Sequence, residues 1–397
     1  MNMYLVEQPF NKKKIENITE TVKNELARFK PHIKPGMRLA LPSGSRGFPY
    51  GVEVMKVLAD TFRSWGADPF IIPAMGSHGG GTAEGQIKVL ENLGISEQTI
   101  GIPVCSSMEV VHLGQTPSGV DVYCDRLAFE AEGIFIYNRI KPHTAFRAPI
   151  ESGLSKMLAV GLGKKKGAET LHRAGLGAHI VEAARLIREK TRFIGGLAIV
   201  DNPWGEALEM KAARPDEMEE IEEQLLKLAW ENIPLLPYDH LHVLIIDYIG
   251  KDISGSGMDV NVVGMHRRLG GTPTQHFETI VALDLTLASK GNALGIGYAD
   301  ITTRELVDKI NMQAIMENAI ATGFLGTAKI PVTMPSKQAA IDLAVRLHST
   351  KDLRVARIKN TKYLQQFWIS EALFRECDKE GKLRSLGVQC DLHEIKF

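Results

Sequence analysis

Residues 69–93 read PFIIPAMGSHGGGTAEGQIKVLENL, and the fold can be inferred outward from this stretch. An apolar run, Pro69 to Pro73, is followed by a polar turn with three consecutive glycines, and then by apolar residues at helical spacing, Ala83 to Leu93. A short strand that is apolar on both faces is typical of a parallel sheet covered by helices. The stretch therefore predicts a strand, a turn and a helix of an α/β fold.

The same alternation of short apolar runs and helical periodicity recurs along the chain, and it predicts an α/β protein with Rossmann-like, mostly parallel sheets. Further strands are predicted at Met37 to Leu41, Gly133 to Tyr137, Ile194 to Val200, Val243 to Ile249 and Thr279 to Leu285. Further helices are predicted at Lys13 to Phe29, Gly51 to Trp65, Ala178 to Glu189, Pro215 to Trp230, Thr303 to Ala321 and Ser336 to Leu347. The acidic run 216–223 is predicted to be the solvated face of its helix.

The chain of 397 residues is long enough for two or three domains of about 100–200 residues each. A glycine-dense stretch from Ile249 to Pro273 follows a strong strand and is predicted to be a hinge between two domains. We therefore expect two domains with an active-site cleft between them.

The composition argues against two classes of binding partner, nucleic acids and anionic membranes. Lys and Arg together number 47, as do Asp and Glu, so no net field attracts a nucleic acid or an anionic membrane. The four cysteines are far apart, which favours a reducing compartment. The first ten residues lack the apolar core of a signal peptide, and no run approaches the roughly 18 apolar residues of a membrane span. These features predict a soluble cytoplasmic protein that acts on a small molecule.

Polar turns follow the first three predicted strands, where ligands collect in open α/β sheets. The first turn contains Arg46, the second His78 and the third His143, and the two histidines are predicted to lie on neighbouring strand ends. Imidazole suits general acid or base catalysis at neutral pH. Taken alone, His78 is more simply a loop histidine beside flexible glycines, whereas structural and catalytic roles are equally compatible with His143.

Lys156 lies among apolar residues in the stretch ESGLSKMLAVGLGKKKG, residues 151–167. A partly desolvated amine has a lowered pKa and can act as a nucleophile, although many such lysines only extend their amine to solvent. His172 lies sixteen residues further on and could equally cap a helix. The lysine triplet 164–166 is predicted to be a solvated helix start, or at most a phosphate contact.

Two hydrolytic sites are weakly supported. A zinc site built from His78, His143 and His172 would lack the close histidine spacing that usually anchors such sites. A Ser-His-Asp hydrolase would lack the G-x-S-x-G motif.

Together these residues resemble the nickel-dependent lactate racemase family, whose members racemise or epimerise 2-hydroxy acids with a nickel-pincer nucleotide. That family has an arginine after an early strand, a histidine in a glycine-containing turn, and a second histidine followed by a Ser-Gly-x-x-Lys element. A nickel-ligating histidine lies sixteen residues beyond the lysine. The corresponding positions, within about the first 175 residues, are Arg46, His78, His143, Ser152 to Lys156, and His172.

The resemblance implies a role for each position. Lys156 would hold the nicotinate-derived pyridinium mononucleotide through a thioamide, and His172 would complete a planar nickel centre with two sulfurs and a ring carbon of that cofactor, a donor set that suits Ni(II). His78 and His143 would face opposite sides of the hydroxy acid as its two acid/base groups. Arg46, and Lys290 from the second domain, would contact the substrate.

The resemblance also implies a domain division and partners. A cofactor-binding domain would span residues 1–270 and an α/β domain residues 271–362, while a tail, residues 363–397, would pack back on the first domain. Proteins of cofactor biosynthesis would be transient partners.

This chain departs from the family around its polar residues. It has Ser43-Gly-Ser-Arg46 where family members have Asp-x-x-Arg, and it adds polar residues near the site, which suggest a sugar acid rather than lactate as substrate: Arg147, Glu151, Asp259 and Asn261. Two alternatives stay open, a cofactor-free relative that binds a small anion, and a metal-dependent hydrolase or lyase that uses the same histidines. Lys156 separates them, because neither alternative needs an amine there.

Overall fold

The computed structural model describes residues 1–273, 275–380 and 383–397. Its residues form two compact units. The N-terminal unit is Asn11–Ile233, and the C-terminal unit combines Met1–Phe10 with Pro234–Phe397.

The strands and helices of the two units alternate along the chain, as the sequence predicts. The first strand, β1 (Asn2–Glu7), belongs to the C-terminal unit. The N-terminal unit contains the strands β2 (Arg38–Ser43), β3 (Asp68–Pro73), β4 (Val110–Gln115), β5 (Asp121–Asp125), β6 (Gly133–Arg139), β7 (Phe193–Asp201) and β8 (Ala207–Ala213). Its helices are α1 (Ile18–Leu26), α2 (Gly51–Ser64), α3 (Ala83–Asn92), α4 (Glu97–Ile100), α5 (Arg126–Glu130), α6 (Leu154–Lys156), α7 (Lys164–Ala174), α8 (Leu176–Lys190) and α9 (Met218–Asn232), with a π-helical turn at Met157–Gly161.

The main sheet of the N-terminal unit has the order β3-β2-β6-β7-β8, and only the last pairing is antiparallel. Successive residues of each strand point to opposite faces, so Leu39 and Leu41 pack with α1 and α2 while Ala40 packs on the side of α8 and α9. Both faces are buried, which confirms the covered parallel sheet that the apolar runs predict. The strands β4 and β5 form a separate hairpin.

The C-terminal unit is built on one larger sheet with the order β12-β11-β10-β9-β13-β14-β1-β15. Its further strands are β9 (His240–Ile249), β10 (His276–Leu285), β11 (Ile301–Thr303), β12 (Val332–Met334), β13 (Val355–Ile358), β14 (Gln366–Ser370) and β15 (Arg384–Asp391). Its helices are α10 (Val260–Val263), α11 (His266–Leu269), α12 (Arg304–Asp308), α13 (Met312–Thr322), α14 (Lys337–Arg346) and α15 (Glu371–Glu380). The strands β9 to β13 are parallel, and β14, β1 and β15 continue the sheet in antiparallel pairings.

The units divide the chain elsewhere than the sequence interpretation does. The glycine-dense segment predicted as a hinge connects β9 to β10, which pair with each other in one sheet, so a boundary near residue 270 would cut that sheet. The structure divides the chain after Ile233 instead. Residues 363–397, predicted to pack on the first domain, supply β14 and β15, which pair with β1 inside the C-terminal unit.

All six strands predicted from apolar runs overlap observed strands. The helix predicted at Thr303 to Ala321 is interrupted, because the Asn311 side chain accepts the N–H of Ala314 and starts α13 anew. The pattern did not reveal β1 or the β4–β5 hairpin. Within the described residues, no helix combines the length and the apolar character that a membrane crossing requires.

Candidate active site

Three of the candidate side chains follow parallel strands of the N-terminal unit at the same edge of the sheet. Arg46 follows β2, His78 follows β3 and His143 follows β6. The sheet order places β2 between β3 and β6, so the prediction that the two histidines follow neighbouring strands is wrong by one strand. The turn of Arg46 therefore comes from the strand between the two histidine strands.

His143 contacts Lys156 directly. The imidazole Nε2 lies 2.6 Å from the Lys156 Nζ. The N–H of Ala145 donates to the other ring nitrogen, Nδ1, at 3.1 Å, so Nδ1 carries a lone pair and the neutral ring has its proton on Nε2. We infer that Nε2–H donates to Nζ, which requires Lys156 to be a neutral amine.

The surroundings of Lys156 favour that neutral form. Burial, and then the positive charges of Lys141 and Arg46, lower the pKa of Lys156 to about 8. The structure thus brings Arg46, Lys141, His143 and Lys156 into one electropositive region. An unprotonated amine in such a region is a nucleophile near neutral pH.

The Ser-Gly-x-x-Lys element is explained by its contacts with the end of β6. The Ser152 hydroxyl donates to the Lys141 carbonyl at 2.6 Å and accepts the Lys141 N–H at 2.8 Å. Gly153 has a φ of 105°, and a Cβ there would overlap Ile140 and the Glu222 carboxylate. A glycine is therefore required at this position, and the serine fixes the segment that leads to Lys156.

Glu222 holds the start of the Lys156 helix. It is fully buried, accepts the Ser155 N–H at 3.0 Å, and also accepts the Ser155 hydroxyl. Burial raises the pKa of Glu222 to about 7. The prediction that the acidic run 216–223 is a solvated face is thus wrong at this residue.

The loop after His143 is held by its own residues. Glu151, which is 2% exposed, accepts the His143 N–H at 2.7 Å and the Ala148 N–H at 3.3 Å. Arg147 donates to the His143 carbonyl at 2.8 Å, and its guanidinium lies 4.6 Å from the centre of the Trp230 ring. The Phe146 ring stacks on the imidazole with centroids 4.3 Å apart.

His78 has the opposite tautomer. Its Nδ1 lies 2.8 Å from the Met75 carbonyl oxygen, which can only accept, so the ring proton is on Nδ1 and the lone pair is on Nε2. The glycines 79–81 that follow all have positive φ, and a Cβ on Gly79 would overlap the backbone of Gly85 and Gln86. The glycines are thus demanded by a tight turn that presents His78 at the surface.

The remaining candidates are distributed over both units. His172 is exposed on α7 of the N-terminal unit. Lys290 is exposed in the C-terminal unit after β10, with a φ of 48°. Asp259 caps α10 by accepting the N–H of Asn261 at 2.9 Å.

Lys164, the first lysine of the triplet predicted to be solvated, is completely buried. Its amine lies 3.1 Å from the Asp125 carboxylate, which is buried as well. The prediction of a solvated helix start is wrong for this residue because its partner comes from β5, about forty residues earlier.

A group of side chains able to hold a metal lies elsewhere, in the C-terminal unit. One ligand atom each of His240, His242 and Glu278 lies within 4.8 Å of the others, and in the described residues no such group includes His78, His143 or His172. The Arg354 N–H donates to Nδ1 of His242, which leaves the ring proton on Nε2. The geometry gives no support to a hydrolytic metal site built from the three predicted histidines.

Comparison with known proteins supports the racemase resemblance. Residues 6–183 match the lactate racemase N-terminal domain family. The fold is similar to that of the lactate racemase apoprotein from Thermoanaerobacterium thermosaccharolyticum, with a TM-score of 0.57 and 12% identity over 90% of this chain and 98% of that one. It is also similar to a protein from Thermotoga maritima, with a TM-score of 0.54 and 14% identity over 87% of this chain and 97% of that one. No curated protein matches the sequence.

Proposed function

We propose that this chain belongs to the lactate racemase family, whose N-terminal domain matches residues 6–183, and that it inverts C2 of a 2-hydroxy acid with a nickel-pincer nucleotide. The observation that carries the proposal is the contact of the Lys156 amine, whose pKa is lowered, with His143, while His78 bears the complementary tautomer. The proposed class is therefore a racemase or epimerase, an isomerase.

The residues fit this cofactor. Lys156, with a pKa of about 8, is reactive enough at its Nζ to form the thioamide link, and the exposed imidazole of His172 would ligate nickel. Lys141 and Arg46 would surround the attachment point with positive charge, which suits an anionic nucleotide and a carboxylate substrate. When bound, the cofactor supplies a reversible hydride acceptor.

The two histidines divide the proton transfers. His78 presents a lone pair at Nε2 and would remove the hydroxyl proton as hydride leaves C2, which gives a planar 2-keto acid. His143 holds its proton at Nε2 and would return a proton to the oxygen as hydride adds to the other face. A Lys156 Nζ engaged in a thioamide would no longer offer a lone pair to His143, so the His143 N–H would be available to the substrate.

The substrate that the contacts favour is a small 2-hydroxy acid with Arg46 on its carboxylate, and Lys290 is a proposed second contact. The sequence suggests a sugar acid from Arg147, Glu151, Asp259 and Asn261, but the first two residues hold the His143 loop, and Asp259 caps α10 by accepting the Asn261 N–H. These groups already have partners within the protein, so they give little reason to expect extra hydroxyls on the substrate.

We further propose the cytoplasm as the compartment, as the cysteine pattern predicts, with cofactor biosynthesis proteins as transient partners. The alternative is a binding protein without cofactor. A covalent modification of Lys156 would exclude that alternative.

Intact-protein mass spectrometry with nickel analysis tests the proposal on protein co-produced with a pincer-cofactor pathway. We expect a mononucleotide-sized adduct and nickel in the wild type and in Lys190→Ala, which alters an exposed lysine, but not in Lys156→Ala. Racemisation of a panel of 2-hydroxy acids, followed by chiral chromatography, should follow the adduct. An unmodified wild-type chain, under conditions that load a known racemase, would refute the proposal.

A further inference from the structure

The turn that carries His78 rests on a buried polar network. Lys164, Gln86 and Asp125 make up this network, and each of the three is completely buried. The Lys164 amine donates to the Gln86 Oε1 at 2.9 Å and lies 3.1 Å from the Asp125 carboxylate. Three elements, α3, α7 and β5, therefore meet beneath one turn.

The network contacts the turn at three backbone carbonyls. Lys164 donates to the carbonyl of Pro73, the last residue of β3, at 2.8 Å. The Gln86 amide donates to the carbonyl of Gly76 at 2.8 Å and to that of His78 at 3.3 Å. The backbone is thus held at the start of the turn, at its middle and at the catalytic candidate itself.

The other side of the turn packs against the segment that follows Lys156. The Gly76 N–H donates to the Gly161 carbonyl at 3.3 Å, and a Cβ on Gly76 would lie 3.1 Å from the Ala168 Cβ. The turn is therefore confined between the network and the Lys156 segment, and its position is coupled to both.

Stability alone does not explain this arrangement. A buried ion pair is often no more stabilising than apolar residues of the same volume. Lys164 also has a φ of 53°, a left-handed conformation that is unfavourable for a residue with a Cβ. An unfavourable backbone that persists under a candidate catalytic turn points to a role in fixing that turn.

We propose that Gln86 and Lys164 are positioning residues for His78: they fix the turn so that the Met75 carbonyl accepts from Nδ1 and the ring presents its lone pair at Nε2. The catalytic consequence rests on the proposed racemase function, whereas the tautomer is a property of the chain alone. The two can therefore be tested separately.

The first test is the His78 tautomer, measured by the nitrogen chemical shifts of ¹⁵N-histidine-labelled protein without cofactor. We expect the Nδ1–H form in the wild type and a mixture of tautomers in Gln86→Met, which has a similar shape but no donor. Thr302→Val is the matched control, because it removes a buried side-chain donor to a backbone carbonyl, that of Ala282, in the C-terminal unit. The control should keep the Nδ1–H form.

A second variant separates positioning from packing. Gln86→Glu keeps an acceptor for Lys164 and the shape of the side chain, but an ionised carboxylate loses both donors and faces the two carbonyls of the turn. It should therefore show the same mixture of tautomers, with a loss of stability at least as large as that of Gln86→Met. In loaded protein, both Gln86 variants should lower kcat about tenfold with KM and the cofactor mass on Lys156 unchanged.

An unchanged Nδ1–H tautomer in both Gln86 variants would overturn the positioning role. A changed tautomer in protein whose wild type binds cofactor but racemises nothing would retain the positioning role and refute the proposed function instead.

Discussion

The turn of His78 and the loop of His143 hold similar side chains by different means. The His143 loop is fixed by residues within thirteen positions, namely Arg147, Glu151 and Lys156. The His78 turn depends on Gln86 and on Lys164, which lies 86 residues further along the chain. One proposed acid/base group is therefore positioned mainly by nearby residues of the chain, and the other also by a lysine from the core of the unit.

The largest effect should come from removing either imidazole. General acid/base catalysis contributes about 10²- to 10⁴-fold, so His78→Asn and His143→Asn should each lower the racemisation rate of loaded protein by that factor. His112→Asn, which changes an exposed side chain of the β4–β5 hairpin, is the control and should be fully active. If either active-site variant keeps more than a tenth of the wild-type rate, that histidine does not transfer the proton.

The residues that hold the His78 turn and those that hold the His143 loop should differ in their contribution to the stability of the protein. Lys164→Met leaves the Asp125 charge buried without its partner and should lower the free energy of unfolding by about 3–5 kcal/mol. Glu151→Gln keeps a carbonyl acceptor for the loop and should cost about 1 kcal/mol. Urea denaturation measures both. The double variant Lys164→Met/Asp125→Asn should recover most of the stability that Lys164→Met loses. Equal losses in Lys164→Met and Glu151→Gln would contradict the proposed difference between the two regions.

Much of this contrast cannot be inferred from the sequence. The sequence does predict six of the observed strands and the turns that carry Arg46, His78 and His143. Those features depend on local patterns, apolar runs followed by glycine and polar residues. The sequence predicts solvated side chains for Lys164 and Glu222, because each lies in a run of like charges. Their burial depends on Asp125 and Ser155, partners too distant for periodicity to indicate.

The order of the strands in the sheet also could not be predicted from the sequence. Apolar runs show which segments are strands but not which strands are neighbours, so the placement of β2 between β3 and β6 was missed. The Ser152-Gly153 pair, by contrast, was recognised as part of a motif, and the contacts with Lys141 and Ile140 give its physical reason.

Glu222 makes the support of Lys156 sensitive to pH. Burial raises its pKa from the ordinary 4.5 to about 7, so the folded state binds this proton more tightly than the unfolded state. Its stabilising contribution is complete below pH 4.5 and is lost as the pH rises through 7, a change of about 3 kcal/mol. Urea denaturation between pH 4 and pH 8 should show this decline in the wild type and not in Glu222→Gln. Equal pH profiles would contradict the assignment.

The smallest effect concerns the charges around Lys156. Burial is the largest cause of its lowered pKa, followed by Lys141 and then Arg46. Lys141→Met should therefore raise the midpoint of Lys156 acylation, about pH 8 in the wild type, by less than one unit, and Arg46→Gln should raise it by less still. Peptide mass spectrometry of acylated apoprotein across pH measures the midpoint. A larger shift with Arg46→Gln would place Arg46 closer to the amine than Lys141.

The pairing of β1 with β14 and β15 also bears on synthesis. Residues 2–7 leave the ribosome long before their partners, Gln366–Ser370 and Arg384–Asp391. Asn11–Ile233 can fold in the interval, since domains fold as units and the earlier ones first. The strand β1 must wait, with its backbone unpaired, until β14 and β15 have been made. Nascent protein therefore exposes the backbone of β1 to chaperones and to misassociation during that interval.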